Sequence, residues 1–541
     1  MHFHEAAAHA LADEDVSIIF GLIGDGNLYM VDSFERLVGG TFVSVVNEAS
    51  SVQAAIGYAR TSGKVGVATV THGPAFTNTV TSLTEGVKGR FSIVLIAGDT
   101  AIMDRYNFQN VAQREVAACS GAGFEQVRTP QSFAEDLSTA MRRAALERRP
   151  VVLNVPINFQ WEEVEYQRAS SKLVDIQTVL PNPVALDTAV GIIAGAKRPI
   201  VLAGRGVATV GGRAALLRLA KRIGAPVATT LQAKDLFAGE TFDLGIFGSL
   251  SNSVAAEVIG NSDCIIAFGA SLNRLTTLKS SLLKKKSLVH IDIDRSAINQ
   301  FSTVSAAIVA DGEATADTLV AWLDEAETVA TEFASDEMAK RLAHRSNDVF
   351  VDRSTRETVD VRSALDRIEK AFPADRTLVY DGGRFVLSAY PVLHAPDPSA
   401  FVHTLNYGSI GLGMGSAIGA HYGAPNRPTL LVSGDGGFML GGLNEFNTAV
   451  RYGIDLTVII LNDGAYGAEH IQFTRKNMDP KISTFLWPDF GPVATALGGQ
   501  GFTVRNLNEL DEALRAVEHR SRPILIDVKI DPSVVDQIQN H

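Results

Sequence analysis

Short runs of Val, Ile and Leu, each followed by a Gly-containing turn and a helix-prone stretch, recur along the chain and constrain its fold more than any other feature. Continuous apolar runs of this kind are typical of strands buried on both faces of a parallel sheet. The predicted strands fall into three series: 41–46, 64–70, 92–98 and 149–156; 198–206, 225–231, 263–270 and 287–294; and 376–383, 427–437, 456–463 and 522–530.

These three series define the predicted domain organisation. A polar stretch with "LPNP" at 180–183 follows the first series and is interpreted as a linker. Strands that alternate with helices predict an α/β protein, here with three consecutive domains of mainly parallel sheets flanked by helices. The predicted domains span 1–165, 184–335 and 355–541. In such sheets, ligands bind beyond the carboxyl ends of the strands.

Composition argues against several classes of partner. The net charge is -12 without long blocks of one sign, whereas a nucleic-acid-binding protein needs a basic stripe. No apolar run reaches the ~20 residues of a membrane helix, and the N-terminus lacks the pattern of a secretion signal. The two cysteines, Cys119 and Cys264, cannot build a disulfide framework. We expect a cytoplasmic protein with neither nucleic acid nor membrane as a partner.

Two strand ends in the third series carry candidate metal ligands. The segment "LLVSGDGG" ends with Gly434, Asp435, Gly436 and Gly437, and "VIILND" ends with Asn462-Asp463. Mg²⁺ prefers oxygen ligands and usually keeps phosphate oxygens in its shell. The glycines allow a phosphate to approach the backbone, and a helix predicted from about residue 444 offers its N-terminal amides. The segment therefore predicts a site for a metal ion and a diphosphate.

This segment resembles the thiamine diphosphate motif of the family of pyruvate decarboxylase, benzoylformate decarboxylase and acetolactate synthase. That motif opens with Gly-Asp-Gly and normally closes in Asn-Asn. The resemblance covers nearly the whole chain and implies the domain order pyrimidine-binding, central and diphosphate-binding. It also implies thiamine diphosphate and Mg²⁺ as cofactors, with the ion held by Asp435, Asp463 and the backbone carbonyl of Ala465.

The closing pair departs from the family pattern. Asp463 stands where the family has Asn, and "GGLNEF" is one residue longer than the common pattern. A count from Asp435 alone would therefore select Asn462 as the metal ligand. Asp463 is preferred because "NDGAYGAE" then matches the family's Asn-Asn-x-x-Tyr-Gly segment, which also brings Tyr466 to the cofactor. The choice between Asn462 and Asp463 stays open at this point.

Two further motifs carry the resemblance. In "VVNEASSVQAAIGYARTSG", Glu48 lies between a strand and a helix, where a Glu is also favourable without any catalytic role. In the family, a Glu at this position hydrogen-bonds the aminopyrimidine ring and so activates the cofactor. The segment "NYGSIGLGMGSAIGA" resembles the one that supports the bent cofactor, with Gly408 at its start and Ile410 as the supporting large residue. Gly415 and Ser416 replace the usual Pro-Ala, a departure that concerns packing.

The residues expected to line the substrate combine features of decarboxylases and carboligases. Asp25 and Glu469 match two carboxylates of the decarboxylases, and Glu469 would donate a proton at product release. The Phe-Gln pair that ends at Gln109 resembles the "FQE" of acetolactate synthases. His72 stands where the family has Ser, and His470 is close enough in sequence to Glu469 to reach the site. Each also has an ordinary structural interpretation as a turn Asp, a buried His or a surface Glu.

The leading hypothesis is thiamine diphosphate- and Mg²⁺-dependent decarboxylation of a 2-oxo acid, extended by carboligation to an aldehyde or ketone acceptor. The alternatives are an acetolactate synthase-like transferase, an inactive thiamine diphosphate-binding regulatory subunit, and a nucleotide- or CoA-binding protein without thiamine. In the family, Glu48 and the diphosphate motif of one site come from different chains, which implies a homodimer or homotetramer. "GASLNRLTT" (269–277) resembles the FAD region of acetolactate synthases too loosely to assign FAD.

Overall fold

The structure is a computed structural model that describes residues 1–169, 177–344 and 350–534. In the described chain, three sheets of six strands follow one another, and the strand pairs within each sheet are parallel. The first sheet contains β1 (Ile18–Gly21), β2 (Thr41–Ser44), β3 (Gly66–Val70), β4 (Ile93–Asp99), β5 (Gly123–Gln126) and β6 (Pro150–Pro156), in the order β2-β1-β3-β4-β6-β5.

The second and third sheets repeat this arrangement. The second contains β7 (Pro199–Ala203), β8 (Val227–Thr229), β9 (Asp243–Ile246), β10 (Cys264–Phe268), β11 (Ser287–Asp292) and β12 (Ala306–Val309), in the order β12-β11-β10-β7-β8-β9. The third contains β13 (Thr377–Tyr380), β14 (Phe401–His403), β15 (Thr429–Gly434), β16 (Leu456–Asn462), β17 (Gln500–Val504) and β18 (Ile524–Lys529), in the order β14-β13-β15-β16-β18-β17. The predicted fold class is confirmed.

Helices connect the strands of all three sheets. Those of the first third are α1 (Phe3–Asp13), α2 (Leu28–Val38), α3 (Glu48–Ser62), α4 (Pro74–Thr77), α5 (Val80–Lys88), α6 (Gln113–Ser120) and α7 (Phe133–Glu147). Those of the middle third are α8 (Pro183–Gly195), α9 (Val210–Ile223), α10 (Ser253–Asn261), α11 (Gly312–Glu325) and α12 (Asp336–Ala343). Those of the last third are α13 (Val361–Ala371), α14 (Val386–Ala389), α15 (Gly413–Gly423), α16 (Asp435–Gly437), α17 (Leu443–Arg451), α18 (Gly467–Arg475), α19 (Phe490–Ala496) and α20 (Leu507–Glu518).

The apolar runs located most strands inside the sheets but missed most strands at their edges. Every predicted strand is present, whereas the sequence did not predict β1, β5, β9, β12, β14 and β17. All of these except β1 lie at the edges of their sheets. An edge strand has a neighbour on one side only and does not need a continuous apolar run. In β12, for example, buried and exposed residues alternate.

Two compact units divide the described chain. One contains the first and third sheets, and the other contains the second sheet together with His394–Pro398, a segment inside the predicted third domain. The domain boundaries 1–165, 184–335 and 355–541 therefore stay predictions. Among the described residues, no helix is both long and apolar enough to cross a membrane.

Helices α3 and α15 pack against each other at backbone distance within the first of these units. A Cβ added at Gly57 would lie 1.9 Å from the Ser416 carbonyl oxygen, and one at Gly419 would lie 1.8 Å from the Ala54 carbonyl oxygen. A Cβ at Gly415 would lie 2.5 Å from Gln53 Oε1. The glycine at 415, a departure from the family pattern, is thus explained by the close approach of α3.

Candidate active site

Asp435 and Asp463 lie side by side at the carboxyl edge of the third sheet. Asp435 follows β15 and Asp463 follows β16, and these strands pair in parallel with Gly434 opposite Leu461. Both carboxylates are largely buried. Burial, and then the charge of Asp463, raise the pKa of the Asp435 carboxyl to about 7. The sequence prediction of two acidic groups at neighbouring strand ends is therefore correct in position.

The donor set at this edge fits a cation that prefers oxygen. Asp435 Oδ2 is buried and accepts no hydrogen bond of ordinary geometry from a described residue. Trp487 lies close enough to this carboxyl to lower its pKa, against the larger effect of burial. The carbonyl of Ala465 likewise accepts no hydrogen bond within the described chain. Because the described residues contain no group of three His, Cys, Asp or Glu side chains able to hold a metal ion, a carbonyl and phosphate oxygens would have to complete the shell.

The two candidate closing residues, Asn462 and Asp463, have different surroundings. Asn462 Nδ2 donates to Asp527 Oδ1 at 2.8 Å, and Asn462 Oδ1 accepts from the Gly464 amide at 3.1 Å. Its side chain is thus held toward β18. Asp463 is held by Arg384, whose Nε donates to Oδ2 at 2.7 Å, and by the Ala465 amide, which donates to Oδ1 at 3.1 Å. Asp463, unlike Asn462, thus carries its carboxylate on the side of the sheet edge where Arg384 lies.

One continuous helical segment follows β15, and it begins earlier than the sequence suggested. The prediction of a helix from about residue 444 was wrong, because helical structure starts directly at Asp435 in α16. A single π-helical turn, Phe438–Gly442, joins α16 to α17. Since a π turn encloses one more residue than an α turn, it accommodates the extra residue noted in this motif. The segment thus presents its N-terminal amides beside Asp435.

Neighbouring protein atoms leave little room for a side chain at two of the three glycines of the motif. A Cβ at Gly436 would lie 2.8 Å from the Tyr466 ring, and one at Gly437 would lie 2.8 Å from Asp381 Oδ2. At Gly434 the nearest atom would be 3.5 Å away, an ordinary contact. From the sequence, these glycines were expected to let a phosphate approach the backbone. At Gly436 and Gly437, the side chains of Tyr466 and Asp381 are a second reason for glycine.

Asp381 organises the loop that carries Gly408 and Ile410, and the sequence analysis missed it. Its Oδ1 accepts from the amides of Gly411 at 2.9 Å and Leu412 at 3.3 Å, and its Oδ2 accepts from the Ser433 hydroxyl at 3.0 Å. Burial raises the pKa of Asp381 against the opposing effect of these donors. The available signal was "YDGGR", an Asp-Gly-Gly at a strand end like that at 435–437.

A second missed carboxylate, Glu85 of α5, holds the start of the same loop. It accepts from the Asn406 amide at 3.0 Å and the Tyr407 amide at 2.7 Å. Burial raises the pKa of Glu85, and the Asn406 and Tyr407 donors oppose the rise. Gly408 follows with a φ of +85°, and Ile410 is half-buried. The loop predicted to support the cofactor is therefore fixed by carboxylates from both terminal thirds of the chain.

Glu48 is the first residue of α3, as predicted. Asn47 caps this helix by accepting from the Ala49 amide at 2.8 Å, and Asn78 Nδ2 donates to Glu48 Oε2 at 3.0 Å. The turn before Glu48 is held by Glu445 of α17, whose Oε1 accepts from the amides of Val46 at 2.9 Å and Asn47 at 3.0 Å. Glu445, fully buried and also missed from the sequence, thus fixes the backbone that presents Glu48.

Asp25 and His72 are brought together at the carboxyl edge of the first sheet. Thr71 Oγ1 donates to Asp25 Oδ1 at 2.9 Å and lies 3.2 Å from His72 Nδ1, which is itself 3.7 Å from Asp25 Oδ1. Because Thr71 has one hydroxyl hydrogen and gives it to Asp25, His72 Nδ1 is the donor to Thr71. In this tautomer the lone pair of the ring lies on Nε2.

Gln109 lies next to this pair through its backbone. A Cβ at Gly73, beside His72, would lie 2.3 Å from the Gln109 carbonyl oxygen. The loop that carries Gln109 is apolar and open: Met103, Tyr106 and Phe108 are each more than nine-tenths exposed. The structure thus joins Asp25, His72 and Gln109 in one cluster, but within the described residues no hydrogen bond links this cluster to Asp435 or Asp463.

Glu469 and His470 lie in the first turn of α18, which follows Asp463, Ala465 and Tyr466. Glu469 is exposed in the single chain, and the ring nitrogen Nδ1 of His470 is buried without a hydrogen-bond partner among the described residues. Other residues of one chain alone therefore do not enclose Glu469, the proton donor that the sequence suggested. Tyr466 is partly exposed and packs edge-on against Phe485, with ring centroids 4.7 Å apart.

Known protein families match this chain in the same order as the sheets. The N-terminal TPP binding domain of thiamine pyrophosphate enzymes matches residues 1–120, the central domain of these enzymes matches 186–319, and their C-terminal TPP binding domain matches 381–528. Asp381, Asp435 and Asp463 all lie within the third match, and Glu48 lies within the first. The cofactor-binding parts of the family thus coincide with the two sheet edges described above.

Similar proteins extend over nearly the whole chain at low identity. A sulfoacetaldehyde acetyltransferase of Alcaligenes xylosoxydans xylosoxydans is 27% identical over 94% of this chain and 89% of its own length. A probable acetolactate synthase large subunit of Methanococcus aeolicus is 26% identical over 100% of this chain and 96% of its own. A probable 2-ketoarginine decarboxylase of Pseudomonas aeruginosa is 26% identical over 97% and 93%. With three successive domain matches and these relatives, the chain belongs to the thiamine diphosphate-dependent enzymes of the acetolactate synthase, pyruvate decarboxylase and benzoylformate decarboxylase superfamily.

Proposed function

We propose that this enzyme decarboxylates a 2-oxo acid with thiamine diphosphate and Mg²⁺, and that it can join the remaining fragment to an aldehyde or ketone acceptor. The observation that carries the proposal is the pair Asp435 and Asp463 at adjacent strand ends, where a buried carboxylate oxygen and the Ala465 carbonyl lack donors. In this proposal these three groups hold the ion, and the amides at the start of α16 face the diphosphate.

Thiamine diphosphate, when bound, supplies a nucleophilic carbon and an electron sink for the C–C bond that breaks. Glu48 would hydrogen-bond the aminopyrimidine ring and hold a proton there, with its backbone fixed by Glu445. Ile410 would support the bent cofactor. His72, oriented by Asp25 through Thr71, would accept or return a proton at Nε2 near the substrate, and Glu469 would protonate the reacting carbon at product release.

An assembly of at least two chains is part of the proposal. Glu469 and Asp25 are exposed in one chain, and so are apolar residues near both sheet edges, including Met103, Phe108 and Leu486. A second copy that covers these surfaces would exclude water from the site and bring its own Glu48 to Asp435. Sedimentation at assay concentration tests this: activity that persists in a monomer would contradict it. The proposal covers both a dimer and a tetramer, and the cytoplasmic location stays a prediction.

A transferase of the acetolactate synthase type is the second candidate. It is favoured by the cluster that Gln109 forms with His72, and by relatives that are named as an acetyltransferase and a probable acetolactate synthase. An inactive regulatory subunit is disfavoured, because such a chain has no physical need for a buried carboxylate that positions Glu48. In this proposal, the available acceptor sets the balance between decarboxylation and transfer.

A panel of 2-oxo acids tests the proposal, with and without an aldehyde acceptor and with CO₂ release and new C–C bonds measured in parallel. The purified chain should require both added thiamine diphosphate and Mg²⁺ after dialysis against a chelator. Asp435→Ala removes a proposed ligand of the ion, so this variant should lose both cofactor retention and activity. CO₂ release that exceeds ligation without acceptor supports decarboxylation. A chain that binds no thiamine diphosphate in calorimetry would refute the cofactor assignment.

A further inference from the structure

We propose that Arg384 supplies the counter-charge that allows Asp463 to serve at a site for a metal ion and a diphosphate. Arg384 Nε donates to Asp463 Oδ2 at 2.7 Å, and both side chains are largely buried, with exposed fractions of 8% and 6%. The inference rests on the proposed function, since it concerns the affinity of the same site for its cofactor. It adds a positioning residue that acts through Asp463.

The need for a counter-charge follows from counting formal charges. Asp435 and Asp463 together carry two negative charges when ionised, and one Mg²⁺ cancels them. The ion and its two carboxylates would then offer no net positive charge to a diphosphate. The guanidinium of Arg384 stays protonated at all relevant pH values and restores one positive charge at this edge. Because the pair is buried, salt screens it less than a surface pair.

Arg384 is held in place independently of Asp463. Its terminal nitrogens donate to the carbonyl oxygens of Val534 at 2.8 Å and Asp531 at 3.0 Å. The neighbouring position is also adapted to the pair, since a Cβ at Gly467 would lie 2.4 Å from Asp463 Oδ2 and 2.6 Å from Arg384 Nε. The fold therefore reserves space for this ion pair and fixes the guanidinium through backbone contacts that do not depend on the carboxylate.

A double-mutant cycle of Arg384→Gln and Asp463→Asn tests the inference, with thiamine diphosphate affinity measured by calorimetry at saturating Mg²⁺. Arg384→Gln should weaken binding about tenfold or more, which corresponds to about 1.4 kcal/mol. In the Asp463→Asn background, the same change should weaken binding by no more than about threefold. Equal losses in both backgrounds would overturn the inference, because Arg384 would then act without Asp463.

Two further measurements distinguish an electrostatic role of Arg384 from a role in which it only holds Asp463 in position. Mn²⁺ alone, titrated by electron paramagnetic resonance, should bind Arg384→Gln at least as tightly as the unchanged protein, because a positive charge has been removed. A parallel loss of Mn²⁺ and cofactor binding would show that Arg384 only holds Asp463 in position and would overturn the inference. Arg384→Lys, which keeps the charge, should retain most of the cofactor affinity that Arg384→Gln loses, and an equal loss would contradict it.

The Asp463→Asn variant keeps the inference testable if Arg384→Gln does not fold, since it leaves the bonds to Val534 and Asp531 intact. Without metal, its affinity for inorganic pyrophosphate should rise severalfold, because the negative charge of Asp463 no longer offsets the positive charge of the guanidinium. Unchanged or weaker binding would overturn the inference. If the unchanged protein binds no thiamine diphosphate at all, the proposed function fails instead, and the two failures are distinguishable.

Discussion

Replacing Asp435 by Asn is expected to stabilise the metal-free protein while it removes cofactor binding. Asp435 is buried beside Asp463, and burial and this neighbouring charge raise its pKa from 3.8 to about 7. A carboxyl whose pKa is raised in the folded state stabilises that state when it is protonated. This stabilisation is fully present below the unfolded pKa and is lost as the pH rises through the folded one. Asn removes the charge at nearly constant size.

The magnitude follows from the size of the pKa rise. Each pKa unit corresponds to about 1.4 kcal/mol, so the ionised Asp435 costs the metal-free fold at most about 4 kcal/mol. For a unit of several hundred residues, 1 kcal/mol shifts the melting temperature by roughly 1–2 °C. Asp435→Asn should therefore raise the apparent Tm by up to about 5 °C at slightly alkaline pH. The gap should widen as the pH rises from the unfolded pKa of 3.8 to the folded pKa of about 7, and stay level above it.

Scanning fluorimetry in a chelator across this pH range measures the effect. Asp187→Asn is the matched control, since Asp187 is exposed and the same charge change there should leave the Tm within error. Mg²⁺ and thiamine diphosphate should narrow the gap, because only the unchanged protein gains binding energy, about 2.7 kcal/mol at a hundred times Kd. A metal-free Asp435→Asn that is no more stable at pH 8, or a gap that does not vary with pH, would refute the reasoning.

Three further predictions concern the remaining site residues. Glu48→Gln should keep the fold but slow exchange of the C2 proton of bound thiamine diphosphate by about a hundredfold or more. NMR measures this exchange, and an unchanged rate would mean that Glu48 serves only at the start of the helix. Glu469→Gln should reduce aldehyde release more than substrate consumption in a single turnover, and ligation to an added acceptor should suffer less; equal losses would place Glu469 before C–C cleavage or in packing. Gly441→Ala should weaken thiamine diphosphate binding about tenfold, because its Cβ would lie 2.2 Å from the Gly411 carbonyl oxygen and displace the loop that holds Ile410. Gly191→Ala, at an open helix position, is the control and should leave binding unchanged.

Every interior strand except β1 was predictable, because buried parallel strands need continuous apolar runs. "LTVIILN", now β16, is buried along its whole length, and such a run has few other interpretations. The edge strands were not predictable on this basis, since β5 and β12 are partly exposed. The helix start at Asp435 was also missed, because three glycines near a strand end suggest a turn. In the structure, two of these glycines lie in a helix and pack against Tyr466 and Asp381.

The features of the candidate site also divide into those that the sequence predicted and those that only the tertiary structure revealed. The sequence by itself determined the family, the strand ends that carry Asp435 and Asp463, and the place of Glu48 at a helix start, because these depend on local pattern and motif spacing. Only the tertiary structure decided that Asn462 turns toward Asp527 while Asp463 meets Arg384, and that Glu445 holds the turn before Glu48. These partners lie tens to hundreds of residues apart in the chain. No local pattern encodes such pairs, because each depends on which buried charges and amides the tertiary fold of the first and third sheets brings within hydrogen-bond distance.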